Sequence, residues 1–153
     1  MLENHINDKQ QLKLPKTQFL IWICSVLLYV LSHWYNFGFF RGGLLMLGIL
    51  PAYSVSFMVI SLLALKYSII SPKINLSLMF GHITFFLSTL LPDINLRKEE
   101  SFVFFNIIHI TNDSFTMLGM LFALLMAITN IVLQIVLIVL VHRVKKNFKN
   151  NKP

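Results

Sequence analysis

Asp, Glu, Lys and Arg are missing from four long stretches of this chain, and those gaps constrain its fold more than any other feature. Between Lys16 and Arg41 lie 24 residues without formal charge, between Arg41 and Lys66 another 24, between Lys73 and Asp93 19, and between Asp113 and Arg143 29. An α-helix rises about 1.5 Å per residue, so about 20 apolar residues cross roughly 30 Å of hydrocarbon. Each gap reaches or approaches that length. The spacing predicts an all-α integral membrane protein, a four-helix bundle with transmembrane helices at 17–35, 44–65, 74–91 and 115–141.

Composition agrees. Of the 153 residues 56% are apolar and 12% charged, with a mean hydropathy of +0.72. A soluble domain carries about 25% charged residues. An ordinary soluble enzyme domain, a disordered tail and a disulfide scaffold are therefore excluded. Buried helices of a soluble bundle would return a charged face every 3.6 residues. The segments LIWICSVLLYVL (20–31) and IVLQIVLIVLV (131–141) return none. Lipid also selects helices over open strands, because backbone polar groups there must be satisfied within the segment.

The first apolar segment follows Lys9, Lys13 and Lys16, as a signal peptide would, but runs on through HWYNFGFF without a small-residue cleavage site. Ile23 before Cys24 does not fit a lipoprotein signal. The segment is expected to stay as the first span, with Cys24 as a small packing residue.

Orientation follows from the loops. With four spans in up-down order, both termini share a side with the connection between spans two and three. That side holds ten basic and two acidic residues; the other holds Arg41, Arg97 and Lys98 against four acidic residues. The positive-inside rule then predicts cytoplasmic termini, N-in and C-in. Topology thus accounts for the net charge of +7. The basic tails, 1–16 and 142–153, are expected in the cytoplasm against anionic lipid headgroups, the second as a mobile end. No motif points to nucleic acid. Aromatic residues such as Trp34, Tyr35 and Phe39 sit where an interfacial belt belongs. Residues 36–43 read as a tight outer turn. The external loop 92–114 contains SFVFFNIIHI, expected to rest on the membrane surface or pack back on the bundle.

Candidate chemistry is sparse. None of the four expected spans contains Asp, Glu, Lys or Arg, which argues against proton-coupled transport or catalysis within the membrane. Phosphate-binding glycine loops, nucleophile elbows and zincin motifs are absent from the sequence. Serines in the spans have no evident base partner. His82 is the one polar membrane position of note, in line with Asn75 and Thr89 at sevenfold spacing. His109 and Asp113 would share a helix face, but two ligands do not make a zinc site. No cofactor or metal is expected, and the chain reads as a non-enzyme.

Packing is better encoded. Span two carries Gly48, Ala52 and Ser56, and span three carries Ser77, Gly81, Thr84 and Ser88. On span four, Gly119, Ala123, Ala127, Asn130 and Gln134 form one stripe. Small residues let membrane helices approach closely, and amides facing another helix contribute about 0.6–2 kcal/mol each. These rows are expected to face other helices of the bundle, a partner protein or a second copy. Pro51 is expected to kink span two, and Pro92 to end span three. The chain is expected to reside in a bacterial plasma membrane, the inner membrane where there are two. Size and polarity are similar to those of small bacterial membrane proteins, immunity proteins against pore-forming bacteriocins among them. An interaction, accessory or immunity-type protein fits best, with a small carrier or channel-forming homo-oligomer as the alternative.

Overall fold

The computed structural model describes residues 16–35, 38–95, 100–103 and 107–150. The expectations resting on Lys9, Lys13, Arg97, Lys98, Glu99, Phe104, Phe105 and Lys152 lie outside the described residues. The described elements are α1 (Lys16–Tyr35), α2 (Phe39–Met46), α3 (Ile49–Ser68), α4 (Pro72–Leu87), β1 (Asp93–Asn95), β2 (Glu100–Val103), β3 (Ile108–Ile110) and α5 (Asp113–Asn150), with a 3-10 turn at Ser88–Leu90.

Among the described residues three helices, α1, α3 and α5, are long and apolar enough to cross a membrane. The third expected span is shorter. Its α-helix has 16 residues, about 24 Å at 1.5 Å each, and the 3-10 turn adds about 6 Å. Pro72 opens it at the first helical position, where a missing N–H costs nothing, after Ser71 in extended conformation. The same helix is the most enclosed, with Ile74, Leu78, Gly81, His82, Thr84 and Phe85 all buried.

Two boundaries differ from the expected ones in the second span. Residues 39–46 form α2 instead of a tight turn. The break falls at Leu47–Gly48, where Gly48 takes a left-handed conformation at φ 72°, a region open to glycine at little cost. Pro51 does not kink the helix. It occupies the third position of α3, where its absent N–H would have had no intrahelical acceptor.

Within the loop 92–114 the described residues include a three-stranded antiparallel sheet in the order β1-β2-β3. Asp93 pairs with Phe102 and Asn95 with Glu100; Ser101 pairs with Ile110 and Val103 with Ile108. Phe102 and Val103, with Ile108 and Ile110, are aromatic and β-branched residues that suit a pleated surface. The small sheet qualifies the all-α expectation. α5 begins where the Asn112 side chain accepts the backbone N–H of Ser114 at 2.9 Å and of Phe115 at 3.4 Å, a helix N-cap. At its far end α5 does not stop at 141. It runs on to Asn150, so the basic tail is largely helical, with Arg143, Lys145 and Lys146 exposed.

At the Lys16 end of α1 the core is Ala64, Leu65, Ile74, Leu78 and Leu137, with Trp22 packed against it. At the Tyr35 end it is aromatic. Phe85 stacks on Tyr29 with ring centroids 3.9 Å apart and on Phe57 at 4.2 Å. These contacts align successive long helices antiparallel. The distribution around that core is inverted relative to a soluble protein. Among the described residues, buried side chains include Ser25, Ser32, Ser61, Thr89, Asn130 and Gln134, whereas most of the leucine, isoleucine and valine of α1 and α5 points outward.

Candidate functional site

The most heavily charged contact lies at the Tyr35 end, between two residues that the sequence places in the outer connections, Arg41 in 36–43 and Asp93 in 92–114. Arg41 of α2 and Asp93 of β1 are buried, at 1% and 0% exposure, with Nε 3.8 Å from Oδ2. Both lie outside the four charge-free spans, so the pair adds to that reading a buried ion pair between the connections. Asp93 Oδ2 accepts the backbone N–H groups of Gly38 at 3.0 Å and Arg41 at 3.1 Å. It therefore caps α2 from a different segment, placing an anion at a helix N-terminus. Gly38 allows this approach, since a Cβ there would lie 2.5 Å from Asp93 Cγ.

The guanidinium binds the opposite helix polarity. Nη1 donates to the Ser32 carbonyl at 3.2 Å, and Nη2 donates to the carbonyls of Thr89, at 2.9 Å, and Leu91. Ser32 lies in the last turn of α1, and Thr89 and Leu91 follow α4. Arg41 thus ties the carbonyl ends of two helices to the start of a third. Burial pushes its guanidinium down to about 10, opposed by the charge of Asp93, so it stays protonated at neutral pH. One signal for the pair is in the sequence: Arg41 and Asp93 flank spans two and three at the same side of the expected membrane.

A second polar centre occupies the middle of the bundle. Asn130 Nδ2 donates to the Gly81 carbonyl at 2.7 Å and to Thr84 Oγ1 at 3.1 Å. Gln134 Nε2 donates to Asn130 Oδ1 at 2.9 Å, and Ser56 Oγ donates to Gln134 Oε1 at 2.9 Å. The network joins α3, α4 and α5. Along the stripe on α5, Ala123, Asn130 and Gln134 are buried and Ala127 is half-buried. Gly119 meets Pro92, where a Cβ would lie 2.8 Å from the proline Cγ. On α4 Gly81 and Thr84 are buried and Ser77 is half-buried, and Ser88 is buried in the 3-10 turn that follows. The row on the second span divides: Ser56 enters the network, whereas Gly48 and Ala52 are exposed.

His82 is buried in α4, its Nδ1 2.8 Å from Ser25 Oγ of α1 and its ring edge-on to Phe57. Ser25 thus has a histidine neighbour that the sequence did not reveal. Its hydroxyl also donates to the Trp22 carbonyl at 3.0 Å, the arrangement of a packing hydrogen bond. Asn75 and Thr89, in line with His82, have other partners: Asn75 accepts from Gln18, and the Thr89 hydroxyl donates to the Phe86 carbonyl at 2.7 Å. Cys24 is exposed on α1 and is not the packing residue it was expected to be.

His109 lies in β3 and Asp113 opens α5, so no single helix presents them together. Among the described residues no three His, Cys, Asp or Glu side chains cluster as metal ligands. No family model, no curated protein and no solved structure matches the chain.

Proposed function

We propose that this chain is a four-span protein of the bacterial plasma membrane, the cell inner membrane where there are two, with both termini in the cytoplasm. It acts without catalysis, by docking its outward helix faces on another membrane protein, as an accessory or immunity-type component. The basic extension of α5 rests against anionic headgroups.

The observation that carries this reading is where the polar groups go. Ser56, Gln134, Asn130 and Thr84 satisfy one another inside the bundle, and the outward surface of α5 is Leu121, Leu124, Leu125, Ile128, Val132 and Ile135. Polar groups inside and aliphatic groups outside suit lipid as the solvent. α4 with its 3-10 turn reaches about 30 Å, which supports a fourth crossing. A pore formed by several copies would need a polar outward stripe, and the described outer faces of α1 and α5 offer leucine, isoleucine and valine instead. That disfavours the carrier or channel alternative.

Purification in mild detergent tests the proposal. A stoichiometric foreign membrane protein that co-purifies and is lost on Leu124→Asn supports it. A homo-oligomer that conducts ions in liposomes overturns it.

A further inference from the structure

Ile69, Ile70 and Ser71 join α3 to α4, which puts two branched aliphatic side chains at the tip of a short turn. The turn is firmly built. Ile70 and Ser71 both donate their backbone N–H to the Tyr67 carbonyl at 3.1 Å. Gln18 of α1 fastens the two flanks, accepting from the Ser68 hydroxyl and donating to the Asn75 amide oxygen. None of these contacts covers the isoleucines, which remain 63% and 38% exposed.

Around this tip the charge has one sign. Lys66 and Lys73 flank it and are exposed, as is Lys16 at the start of α1. α5 adds to them. A hydrogen bond from Ser56 to Gln134 joins α3 to α5. About three turns further along both helices, Tyr67 and Val144 pack on one apolar core. Lys145, next to Val144, therefore stands near the level of Lys66. Among the described residues this end has no carboxylate, since Asp93, Glu100 and Asp113 lie at the other.

An apolar tip inside a cationic collar narrows the occupant. Free phosphate would answer the lysines and leave the isoleucines in water. A second copy set end to end would bring like charges together. An acidic peptide would have to bring an apolar face of its own. The edge of a bilayer supplies both layers, and at the right depth. The 20 residues of α3 reach about 30 Å, the thickness of the hydrocarbon, so the turn that follows lies at its boundary. There lysine stems run along apolar surface while their ammonium groups reach the phosphates.

We infer that the α3–α4 turn is a binding surface for phospholipids of net negative charge, with Ile69 and Ile70 among the acyl chains and Lys66 and Lys73 on the phosphates. This rests on the reading of α3 and α4 as membrane crossings, and it adds the turn to the headgroup contact proposed for the extension of α5.

The test places the full chain, in a Cys24→Ser background, in nanodiscs of mixed phosphatidylglycerol and phosphatidylcholine. An NBD fluorophore is attached at Ile69→Cys. A nitroxide quencher is carried on the acyl chain of one lipid or the other at the same mole fraction. Quenching should be strong, and stronger from phosphatidylglycerol. Replacing Lys66 and Lys73 by Gln should weaken the relative association of phosphatidylglycerol about fivefold for each lysine. The same fluorophore at Leu47→Cys, at the end where the described cation Arg41 is buried, should show no preference. Thermal unfolding confirms that the variants are folded. Absence of quenching at position 69 would place the tip in water or against a protein, and would overturn the inference. Equal quenching by the two lipids, an equal preference at position 47, or an unchanged preference in the folded double glutamine variant would overturn it as well. The crossing of α4 is read separately, by which side of the membrane reaches Ser71→Cys, so the two readings can fail independently.

Discussion

Arg41 and Asp93 are 52 positions apart in the chain and meet in the interior, where the carboxylate caps α2 and the guanidinium holds carbonyls at the ends of α1 and α4. Removing one member of a buried pair leaves the other without compensation, at about 3–5 kcal/mol. We predict that Asp93→Ala lowers stability by that order. Asp93→Asn should cost less, because its amide oxygen still accepts from Gly38 and Arg41. Arg41→Lys should fail to restore stability, since an ammonium cannot span three carbonyls as a guanidinium does. Thermal unfolding in detergent reads all three, and equal stability of Asp93→Ala and the parent would remove the clasp from the account.

The amide network makes a separate prediction. Asn130→Leu should cost about 1–3 kcal/mol, because the Gln134 amide loses its buried acceptor. Ala123→Leu should be destabilising by a similar amount through overpacking at a buried position. Leu121→Ala, on the exposed face, should change stability by less than about 0.5 kcal/mol. The variant series is compared by melting temperature; uniform tolerance would mean that the stripe does not face protein.

Placing the helix break at Gly48 and not at Pro51 is also testable. Gly48→Val should cost about 1–2 kcal/mol, since a branched side chain is strained in the left-handed region. Pro51→Ala should leave the helix content nearly unchanged, as proline is tolerated in a first turn. Circular dichroism with thermal melts separates the two. A larger loss for Pro51→Ala would restore the proline as the bend.

Much of this architecture is legible in the spacing of charges. The helices α1, α3 and α5 fall where charge-free runs of apolar residues place them, because only length and hydropathy decide such elements. The stripe of Gly119, Ala123, Asn130 and Gln134 is legible because a helix fixes which residues share a face. The Arg41–Asp93 pair is not. Its partners come together through tertiary packing of α2 against β1, and a formal charge in sequence carries no mark of whether it meets water or a carboxylate. The sheet escaped for a related reason: the apolar composition of 101–110 suits an interfacial segment and a strand alike, and the cross-strand pairing of 100–103 and 108–110 is a tertiary fact.

The amphipathic end of α5 gives a further expectation. Arg143, Lys145 and Lys146 are exposed on a helix of 38 residues, about 57 Å long and so longer than a bilayer core. Each cation near an anionic surface is worth about 1 kcal/mol. Replacing all three by Gln should reduce retention of the purified chain's C-terminal segment on anionic vesicles, with little change on neutral ones, as read by protease protection. Equal protection on both vesicle types would contradict a headgroup contact.

The four-span reading turns on α4, which Ser71 precedes and which the strands separate from Asn112 at the start of α5. In a Cys24→Ser background, single cysteines at these positions are exposed in intact cells to a membrane-impermeant maleimide. The account predicts that Ser71→Cys labels only after lysis, whereas Asn112→Cys labels in intact cells, placing opposite sides of the membrane at the two ends of α4. Labelling of both positions from the same side would mean that α4 does not cross, and would contradict the four-span architecture.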